Sequence, residues 1–367
     1  MIKEKIKENI GIIYLDRPGH LNALDDNAIN RIREILKKFE EDDKVKTVLF
    51  DSLIEKGFSA GGDLKSMYYD YLVNENCKEI DGLLKNEFDL DKYVASYKKP
   101  IISHWFGITM GGGIGLTINS DFIIVEENIN WAMPETSLGF APDVGVGKFI
   151  ASLPQALGQY VGLCGASLEA SDLIKYGFAN IYIKSSDYED AINNLFTLSK
   201  DYDGKDLIKQ FSKSIDSYRQ QLEESKIDKN MEKIDKYFSH SSIEEIFDDL
   251  KKNEENDNFA KNTLAILNER DPFSLALQFE KYFSDKNLTY EEVIDRDLRI
   301  IQNSMQEKIL NEGIRAKIIE KDNNPNWPHK SLDEIDTSII NKLLSLNDNV
   351  DKQWWAFVQS YLSQGSC

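Results

Sequence analysis

Apolar residues follow two different patterns along the first half of the chain, and each pattern predicts a different element. Short apolar runs at 10–15 (IGIIYL), 46–52 (KTVLFDS) and 122–127 (FIIVEE) predict buried strands. Between the first two runs, apolar residues recur at helical spacing, namely Ala28, Ile29, Ile32, Ile35, Leu36 and Phe39. Asp25 or Asp26 can cap this helix. Strands that alternate with helices predict an α/β domain.

The pattern changes after about residue 185, where glycine becomes sparse and Lys, Asp, Glu and Asn dominate. Helix-start signals follow one another there, namely the capping boxes Ser242 with Glu245 and Thr289 with Glu292, and the pair Asp271-Pro272. We therefore predict a core at 1–185 and a mainly helical region at 186–367. No low-complexity linker separates them, so we expect the helical region to pack on the core.

Size and charge narrow the possible functions. The chain has 367 residues, 41% of them hydrophobic, which is enough for one large domain or two ordinary ones. Its net charge of −19 repels phosphate backbones and anionic membranes. Nucleic-acid and membrane-surface binding are therefore poor hypotheses, although a local patch can still bind an anionic substrate.

Cysteine and histidine are few and scattered. The three cysteines, Cys77, Cys164 and Cys367, form no CxxC pair, which suits a reducing compartment. No metal-ligand spacing appears, so we predict no metal. The first residues resemble neither a secretory signal nor a transit peptide. We therefore expect a soluble intracellular protein, in the cytosol or the mitochondrial matrix.

Two glycine clusters, in 58–64 (FSAGGDL) and 109–121 (TMGGGIGLTINSD), each follow an apolar run and precede a helix. They fail the nucleotide-binding fingerprints. Gly112 and Gly113 could serve only close packing of a helix on a strand. Alternatively, each turn exposes a backbone N–H, and two such groups aimed at one point form an oxyanion hole for a carbonyl oxygen.

Three segments taken in order resemble the enoyl-CoA hydratase/isomerase (crotonase) superfamily: FSAGGDL, KKPIISHWFGITMGGGIGL and WAMPETSLGFAPDVG. Within it, the 3-hydroxyisobutyryl-CoA hydrolase family is the most similar, and 311–328 (NEGIRAKIIEKDNNPNWP) resembles its C-terminal signature. The resemblance spans nearly the whole chain. It implies repeated ββα units, a small-molecule acyl-CoA substrate and no separate cofactor, because CoA is part of the substrate. It also leaves room for a homo-oligomer.

The resemblance also implies roles for individual residues. Gly62 and Gly112 match the two oxyanion N–H donors, and Ala60 matches a residue whose backbone lies beside the CoA adenine. Glu87 matches a family residue that lines the substrate site. Glu135 matches the catalytic glutamate, and Asp143 matches the partner aspartate eight residues later. Glu135 would act on the thioester as general base or as nucleophile, and these two routes stay open. Asp143 would orient the water or the substrate's 3-hydroxyl.

The reaction type depends on one missing acid. Hydratases of the superfamily use two glutamates, and the first stands where this chain has Gly115. The matching set is therefore that of the hydrolases, with hydration or isomerisation and non-catalytic acyl-CoA binding as alternatives. Ala141 and Val146 depart from the hydrolase pattern, and Gly19 replaces a lysine that is common in hydratases near the CoA phosphates. Ala141 replaces a usual Phe and could reshape the acyl pocket.

Each of these residues also has a simpler interpretation. Glu135 could end a helix and Asp143 could cap a proline turn, with both carboxylates solvated. Glu87 lies among many acids and could be another solvated charge. His104 stands between apolar residues of a strand, which favours a packing role. Cys164 is predicted to be a small core residue.

Overall fold

The computed structural model describes residues 1–69 and 77–345. These residues form two compact units, each built from three separate stretches of chain. The first unit contains Met1–Gly62, Asp89–Ala132 and Ser167–Lys229. The second contains the described parts of Asp63–Phe88, Met133–Ala166 and Asn230–Cys367.

All the described strands belong to the first unit. They are β1 Ile2–Lys7, β2 Ile10–Leu15, β3 Thr47–Ser52, β4 Gly57–Ser59, β5 Ile101–Trp105, β6 Ile108–Met110, β7 Phe122–Glu126, β8 Asn130–Ala132 and β9 Ile181–Ile183. A six-stranded sheet has the order β1-β2-β3-β5-β7-β9, and a three-stranded sheet has the order β4-β6-β8. Among the pairs of strands just given, β1–β2 is antiparallel and the others are parallel.

The helices of the model occur in both units. They are α1 Asp26–Glu41, α2 Leu64–Met67, α3 Cys77–Ala95, α4 Gly112–Thr117, α5 Gly147–Ile150, α6 Gln155–Cys164, α7 Ala170–Lys175, α8 Ser185–Leu198, α9 Gly204–Ser214, α10 Lys226–Phe238, α11 Ile243–Asn253, α12 Asn258–Asn268, α13 Pro272–Asp285, α14 Tyr290–Gln306, α15 Ile309–Ile314 and α16 Thr337–Leu344. Short 3₁₀ turns lie at Pro18–His20, Glu135–Leu138, Asp216–Tyr218 and Leu332–Glu334, and a π-helical turn lies at Arg315–Ile319.

The predicted strands and first helix are confirmed. β2, β3 and β7 are almost wholly buried, as unbroken apolar runs require. Helix α1 buries the six predicted apolar residues, and its cap is Asp25, whose carboxylate accepts the Ala28 N–H at 2.8 Å. The sequence pattern missed β1, because its Lys- and Glu-rich residues lie at a sheet edge where none of them is fully buried.

The chain repeats one motif three times: a strand of the larger sheet, a strand of the smaller sheet, then a helical turn. The repeats are β3-β4-α2, β5-β6-α4, and β7-β8 followed by Glu135–Leu138. The α/β class and the ββα repeats expected for this chain are therefore present. Each repeat ends in a turn that carries a predicted site residue or directly follows one.

The compact units differ from the division predicted at residue 185. From Ser185 to residue 345, every described helix, strand or turn element is helical, as predicted. However, α8 and α9 bury their apolar residues against the larger sheet, so the chain stays in the first unit until residue 229. The change in composition after β9 therefore marks the end of the strands and not the boundary between units.

In the second unit, α6 and α13 approach each other closely. A Cβ atom at Gly158 would lie 2.3 Å from the Tyr282 ring, and one at Gly162 would lie 2.3 Å from Gln278. Gln159 donates to the Phe279 carbonyl at 3.0 Å. This packing fixes the position of α13, which carries Lys281. Among the described residues, no helix is both long and apolar enough to cross a membrane.

Candidate active site

The two glycine turns of the first unit lie against each other. Gly61 has a φ of +97°, and a Cβ atom there would be 3.1 Å from the Gly112 nitrogen. A neighbouring segment holds the first turn, because the Leu24 N–H donates to the Gly61 carbonyl at 2.7 Å. A side chain at 61 would therefore push the two turns apart, which is why glycine is required there.

Both predicted oxyanion donors lie in these adjoining turns. Gly62 forms a β-bridge with Leu24, and Gly112 is the first residue of α4. Within the described part of the chain, neither N–H donates to another backbone group. Ala60 lies in the first turn, but its N–H already donates to the Leu21 carbonyl at 3.0 Å. Two uncommitted N–H groups on adjoining turns are what an oxyanion hole requires.

The packing interpretation of the glycine cluster is correct for one residue. A Cβ atom at Gly113 would lie 2.5 Å from the Ser59 Cβ atom of β4, so Gly113 permits close contact of helix and strand. The cluster therefore combines a packing requirement at Gly113 with an exposed donor at Gly112.

The three predicted acids all lie in the second unit, and all are buried. Glu135 begins the 3₁₀ turn after Pro134 and is 4% exposed. Asp143 and Glu87 are each 8% exposed. The interpretation of these side chains as solvated charges is therefore wrong. Within the described residues, the Glu135 Oε2 atom has no hydrogen-bond partner, so this carboxylate is desolvated without full compensation.

Burial raises the proton affinity of this acid cluster, which consists of Glu87, Glu135 and Asp143. It raises the pKa of Glu87 to about 7. It also raises the pKa of Glu135 to about 8, with the charge of Asp297 raising it further and that of Lys281 opposing. The pKa of Asp143 is raised by burial first and then by the charges of Glu135, Asp297 and Glu87. The acids therefore interact, and the pKa values of Glu87 and Glu135 lie near neutral pH, where a group can both accept and donate a proton.

A buried ion-pair network formed by Lys281, Asp285, Arg296 and Asp297 adjoins this cluster. The Lys281 Nζ atom lies 2.7 Å from Asp285 Oδ2 and 2.9 Å from Asp297 Oδ1, and Arg296 pairs with Asp285. All four side chains are at most 1% exposed. Lys281 is thus the cation that faces Asp143 and Glu135.

Comparison with known proteins identifies the family. The family model described as enoyl-CoA hydratase/isomerase matches residues 10–344. A Danio rerio protein named 3-hydroxyisobutyryl-CoA hydrolase, mitochondrial, is 32% identical over 93% of this chain and 88% of its own length. The Homo sapiens protein of that name is 32% identical over 90% of this chain and 85% of its own length. The chain belongs to the 3-hydroxyisobutyryl-CoA hydrolase family. This family is part of the crotonase superfamily and consists of acyl-CoA thioester hydrolases.

Solved structures agree on the fold. A carnitinyl-CoA dehydratase from Mycobacterium thermoresistibile aligns with a TM-score of 0.83 and 25% identity, over 95% of this chain and 97% of the other. An enoyl-CoA hydratase from Rhodobacter sphaeroides aligns with a TM-score of 0.83 and 26% identity, over 95% and 98%. The crotonase-like fold predicted from the motifs is confirmed.

Sequence reasoning missed Lys281 and Asp297, because no motif marks them. One signal was available in α14, where apolar residues recur at Val293, Ile294, Ile300 and Ile301. Asp297 stands at a helical spacing from these residues and is 1% exposed. A charge within an apolar stripe indicates a buried partner, but the sequence does not identify Lys281 as that partner.

The prediction for His104 needs correction. It is buried in β5, as expected, but it does not merely pack. Its Nδ1 lies 2.9 Å from Asp51 Oδ1 and its Nε2 lies 3.0 Å from Glu126 Oε1. Tyr188 stacks on the imidazole ring at 3.5 Å and donates to Asp51 at 2.8 Å. Burial lowers the pKa of His104, but the two carboxylates outweigh it, so the net pKa is raised.

Two other residues lie in the core. Cys164 is 6% exposed and free, as predicted for a small core residue. Ala141 is fully buried in an apolar cluster with side chains that include Phe273, Ile309 and Trp327. Among the described residues, no group of three or more His, Cys, Asp or Glu side chains could hold a metal ion. That the reaction needs no metal stays a prediction.

Proposed function

We propose that this protein hydrolyses a 3-hydroxyacyl-CoA thioester, with 3-hydroxyisobutyryl-CoA as substrate and 3-hydroxyisobutyrate and CoA as products. This reaction belongs to valine breakdown. The observation that carries the proposal is the buried Glu135 carboxylate, whose Oε2 atom has no partner among the described residues and which interacts with a second buried acid, Asp143. The relatives' names support the choice of substrate.

In the proposed reaction, the N–H groups of Gly62 and Gly112 donate to the thioester carbonyl oxygen. Attack on the carbonyl carbon moves negative charge onto that oxygen, and fixed donors stabilise it without reorganisation. Ala60 lies beside the CoA adenine through its backbone. CoA enters and leaves as part of the substrate and product, so no separate cofactor takes part.

Glu135 starts the attack in one of two ways. As general base, it takes a proton from water, the hydroxide adds to the carbonyl carbon, and the C–S bond breaks as the proton passes to the thiolate. As nucleophile, its carboxylate displaces the CoA thiolate to form a mixed anhydride, which water then hydrolyses. Hydroxylamine distinguishes the two routes, because it can cleave a mixed anhydride at the Glu135 carbonyl and leave a hydroxamate on the Glu135 peptide, whereas the general-base route leaves none there.

Asp143 and Glu87 complete the proposed acid set. Asp143 orients the attacking water or hydrogen-bonds the substrate's 3-hydroxyl, and Glu87 lines the acyl site. Their raised pKa values allow one acid to hold a proton and donate a hydrogen bond while a neighbour is ionised. A carbonyl substrate with a 3-hydroxyl group suits such a mixed donor and acceptor set.

Hydration or isomerisation of an enoyl-CoA is the second candidate, because the two structures with the TM-score of 0.83 are named as a dehydratase and a hydratase. The chain has Gly115 where hydratases carry their first glutamate, and Gly115 is buried within α4. Hydration adds the hydroxyl of water to one carbon of the double bond and a proton to the other, and with one acid missing a single carboxylate would have to serve both steps. This argues for the hydrolase.

The deciding experiment measures thiol release from a panel of CoA thioesters that differ in the acyl chain. We expect turnover of 3-hydroxyisobutyryl-CoA, with slower turnover of esters that lack the 3-hydroxyl. Loss of enoyl absorbance without thiol release would favour the hydratase instead. Tight binding of the esters with no turnover of any would overturn both proposals in favour of a non-catalytic acyl-CoA-binding protein.

A further inference from the structure

The turn that carries Asp143 has an unfavourable backbone conformation. Val144 has a φ of +49° and Gly145 a φ of +74°. A left-handed conformation is rare for a β-branched residue, because its side chain crowds the backbone. Such a conformation persists only where the surrounding contacts hold it, and it is found most often at functional sites.

The contacts that hold this turn come from α14. The Asp297 Oδ2 atom accepts the Gly145 N–H at 2.9 Å, and the Tyr290 hydroxyl donates to the Val144 carbonyl at 3.4 Å. The Tyr290 ring also fills the space beside Gly145, where a Cβ atom would lie 2.2 Å from it. The residue that follows Asp143 and the next one are therefore both tied to one helix.

Asp297 is itself fixed by the ion-pair network. Lys281 bridges Asp297 and Asp285, and Arg296 neutralises Asp285 from the other side. The network also contacts the far end of the turn, because a Cβ atom at Gly147 would lie 2.2 Å from both Lys281 Nζ and Asp285 Oδ2. The turn from Asp143 to Gly147 is thus bound at Gly145 by a buried carboxylate and packed at Gly147 against two buried charged groups.

We propose that Asp297 and Lys281 are positioning residues of the acid cluster, which hold the Asp143 turn in its strained conformation and set the charge balance at Glu135 and Asp143. The inference rests on the proposed function only for the reaction that the acids perform. Two effects do not depend on which substrate binds: these residues hold the Asp143 turn, and their charges shift the pKa values of the acids.

Asp297 and Lys281 shift the pKa values of Glu135 and Asp143 in opposite directions. The described charged groups that act on Glu135 and Asp143 are Asp297 on α14, Lys281 on α13, Glu87 on α3 and the two acids themselves. The negative charge of Asp297 favours protonated acids, and the positive charge of Lys281 favours ionised acids. Asp297→Asn should therefore lower the pKa of Glu135, and Lys281→Met should raise it.

The test titrates Glu135 directly, by ¹³C NMR of protein labelled at the glutamate side-chain carboxyls. Glu135→Gln assigns the resonance. We expect its midpoint to move to lower pH in Asp297→Asn, to higher pH in Lys281→Met, and back toward the wild-type value in the double variant. Shifts of one sign in both single variants, or no shift, would overturn the inference. This readout needs no substrate, so it can fail or succeed independently of thiol release.

Thiol release then tests whether Asp297 holds the Asp143 turn in the conformation that the reaction needs. Asp297→Ala removes the acceptor for the Gly145 N–H and should lower kcat on the order of 10²-fold, with little change in KM. Asp297→Asn keeps an acceptor and should recover part of that loss. Asp172→Asn is the matched control, since Asp172 is a fully buried carboxylate in α7 of the first unit, where it accepts from Ser225 at 2.6 Å. It should lower thermal stability without moving the Glu135 titration. If Asp297→Ala lowered Tm alone, with kcat and the titration unchanged, the role would be merely structural.

Discussion

The two units bury charge in opposite ways. In the first unit, His104 lies between two carboxylates that raise its pKa, both ring nitrogens are engaged, and Tyr188 donates to another carboxylate oxygen. In the second unit, the acid cluster outnumbers the cations that face it, and Glu135 keeps an unpartnered oxygen among the described residues. Buried polar groups that all have hydrogen-bond partners help to specify one structure. A buried polar group without a partner is costly, and a bound ligand can reduce that cost by supplying the missing hydrogen bond. Burial of an acid alone therefore does not identify a site.

The largest expected effect is that of Glu135→Gln. We expect it to lower kcat for thiol release on the order of 10²–10⁴-fold, because the amide can neither accept a proton nor attack the thioester. The fold should survive, since the neutral amide removes an uncompensated buried charge. Steady-state kinetics and circular dichroism together measure this. Full activity in a folded variant would remove Glu135 from the mechanism.

Substitution in the glycine turn that carries Gly61 is expected to lower kcat nearly as much. Gly61→Ala places a Cβ atom 3.1 Å from the Gly112 nitrogen, so the two donors must move apart. We expect a fall in kcat on the order of 10²-fold, comparable to the loss of one oxyanion donor. Gly177→Ala is the matched control, because Gly177 has a φ of +77° with nothing within 4 Å of the added Cβ atom. If both variants lose activity equally, backbone strain and not the donor geometry is responsible.

Glu126→Gln makes the same change from Glu to Gln, but in the hydrogen-bonded cluster around His104 in the first unit. Glu126 is 5% exposed, close to the 4% of Glu135. Its Oε1 atom lies 3.0 Å from the His104 Nε2 atom, and its charge raises the pKa of His104, so its replacement should cost about 2 kcal/mol of unfolding free energy. We expect kcat to stay within a few-fold. Denaturant unfolding and thiol release distinguish the two glutamates, and a large loss of kcat in Glu126→Gln would erase the contrast between the clusters.

The pH dependence of stability should differ between wild type and Glu135→Gln. The pKa of Glu135 is raised in the folded state from its ordinary 4.5 to about 8, so between these values the native protein binds more protons than the unfolded chain. The contribution of this group to stability is therefore complete below pH 4.5 and falls as the pH rises toward 8. Glu135→Gln lacks this loss. We expect its Tm, relative to wild type, to increase steadily across that window, and a constant difference would contradict the raised pKa.

The smallest expected effect comes from Ala141→Phe, which disturbs the chain two residues before Asp143 without touching a charge. Ala141 is fully buried among large apolar side chains, so the added ring should cost about 1–3 kcal/mol through overpacking. We expect kcat to fall less than in Glu135→Gln. The same panel of thioesters tests the acyl preference, and an unchanged ranking of acyl chains would mean that this position acts only on the core.

The sequence by itself determined the strands, the helical character after residue 185, the family, and the residues that bear the reacting groups. It could do so because hydrophobic periodicity and glycine turns are local properties. Glu135 and Asp143 were found through motifs, but whether they were buried or solvated was open. Their positions in the sequence did not identify the cation that acts on them, which is Lys281 of α13.

Only the tertiary structure decided that partnership, because helices α13 and α14 reach the Asp143 turn from more than 130 residues further along the chain. It also showed that His104 is not a packing residue but the centre of a buried polar cluster, since its partners lie on two other strands of the sheet. Desolvation and charge pairing depend on neighbours in space, and no local pattern encodes which distant helix supplies them. The sequence motifs thus identify the residues of the candidate site, whereas the proton affinities of those residues depend on the folded chain.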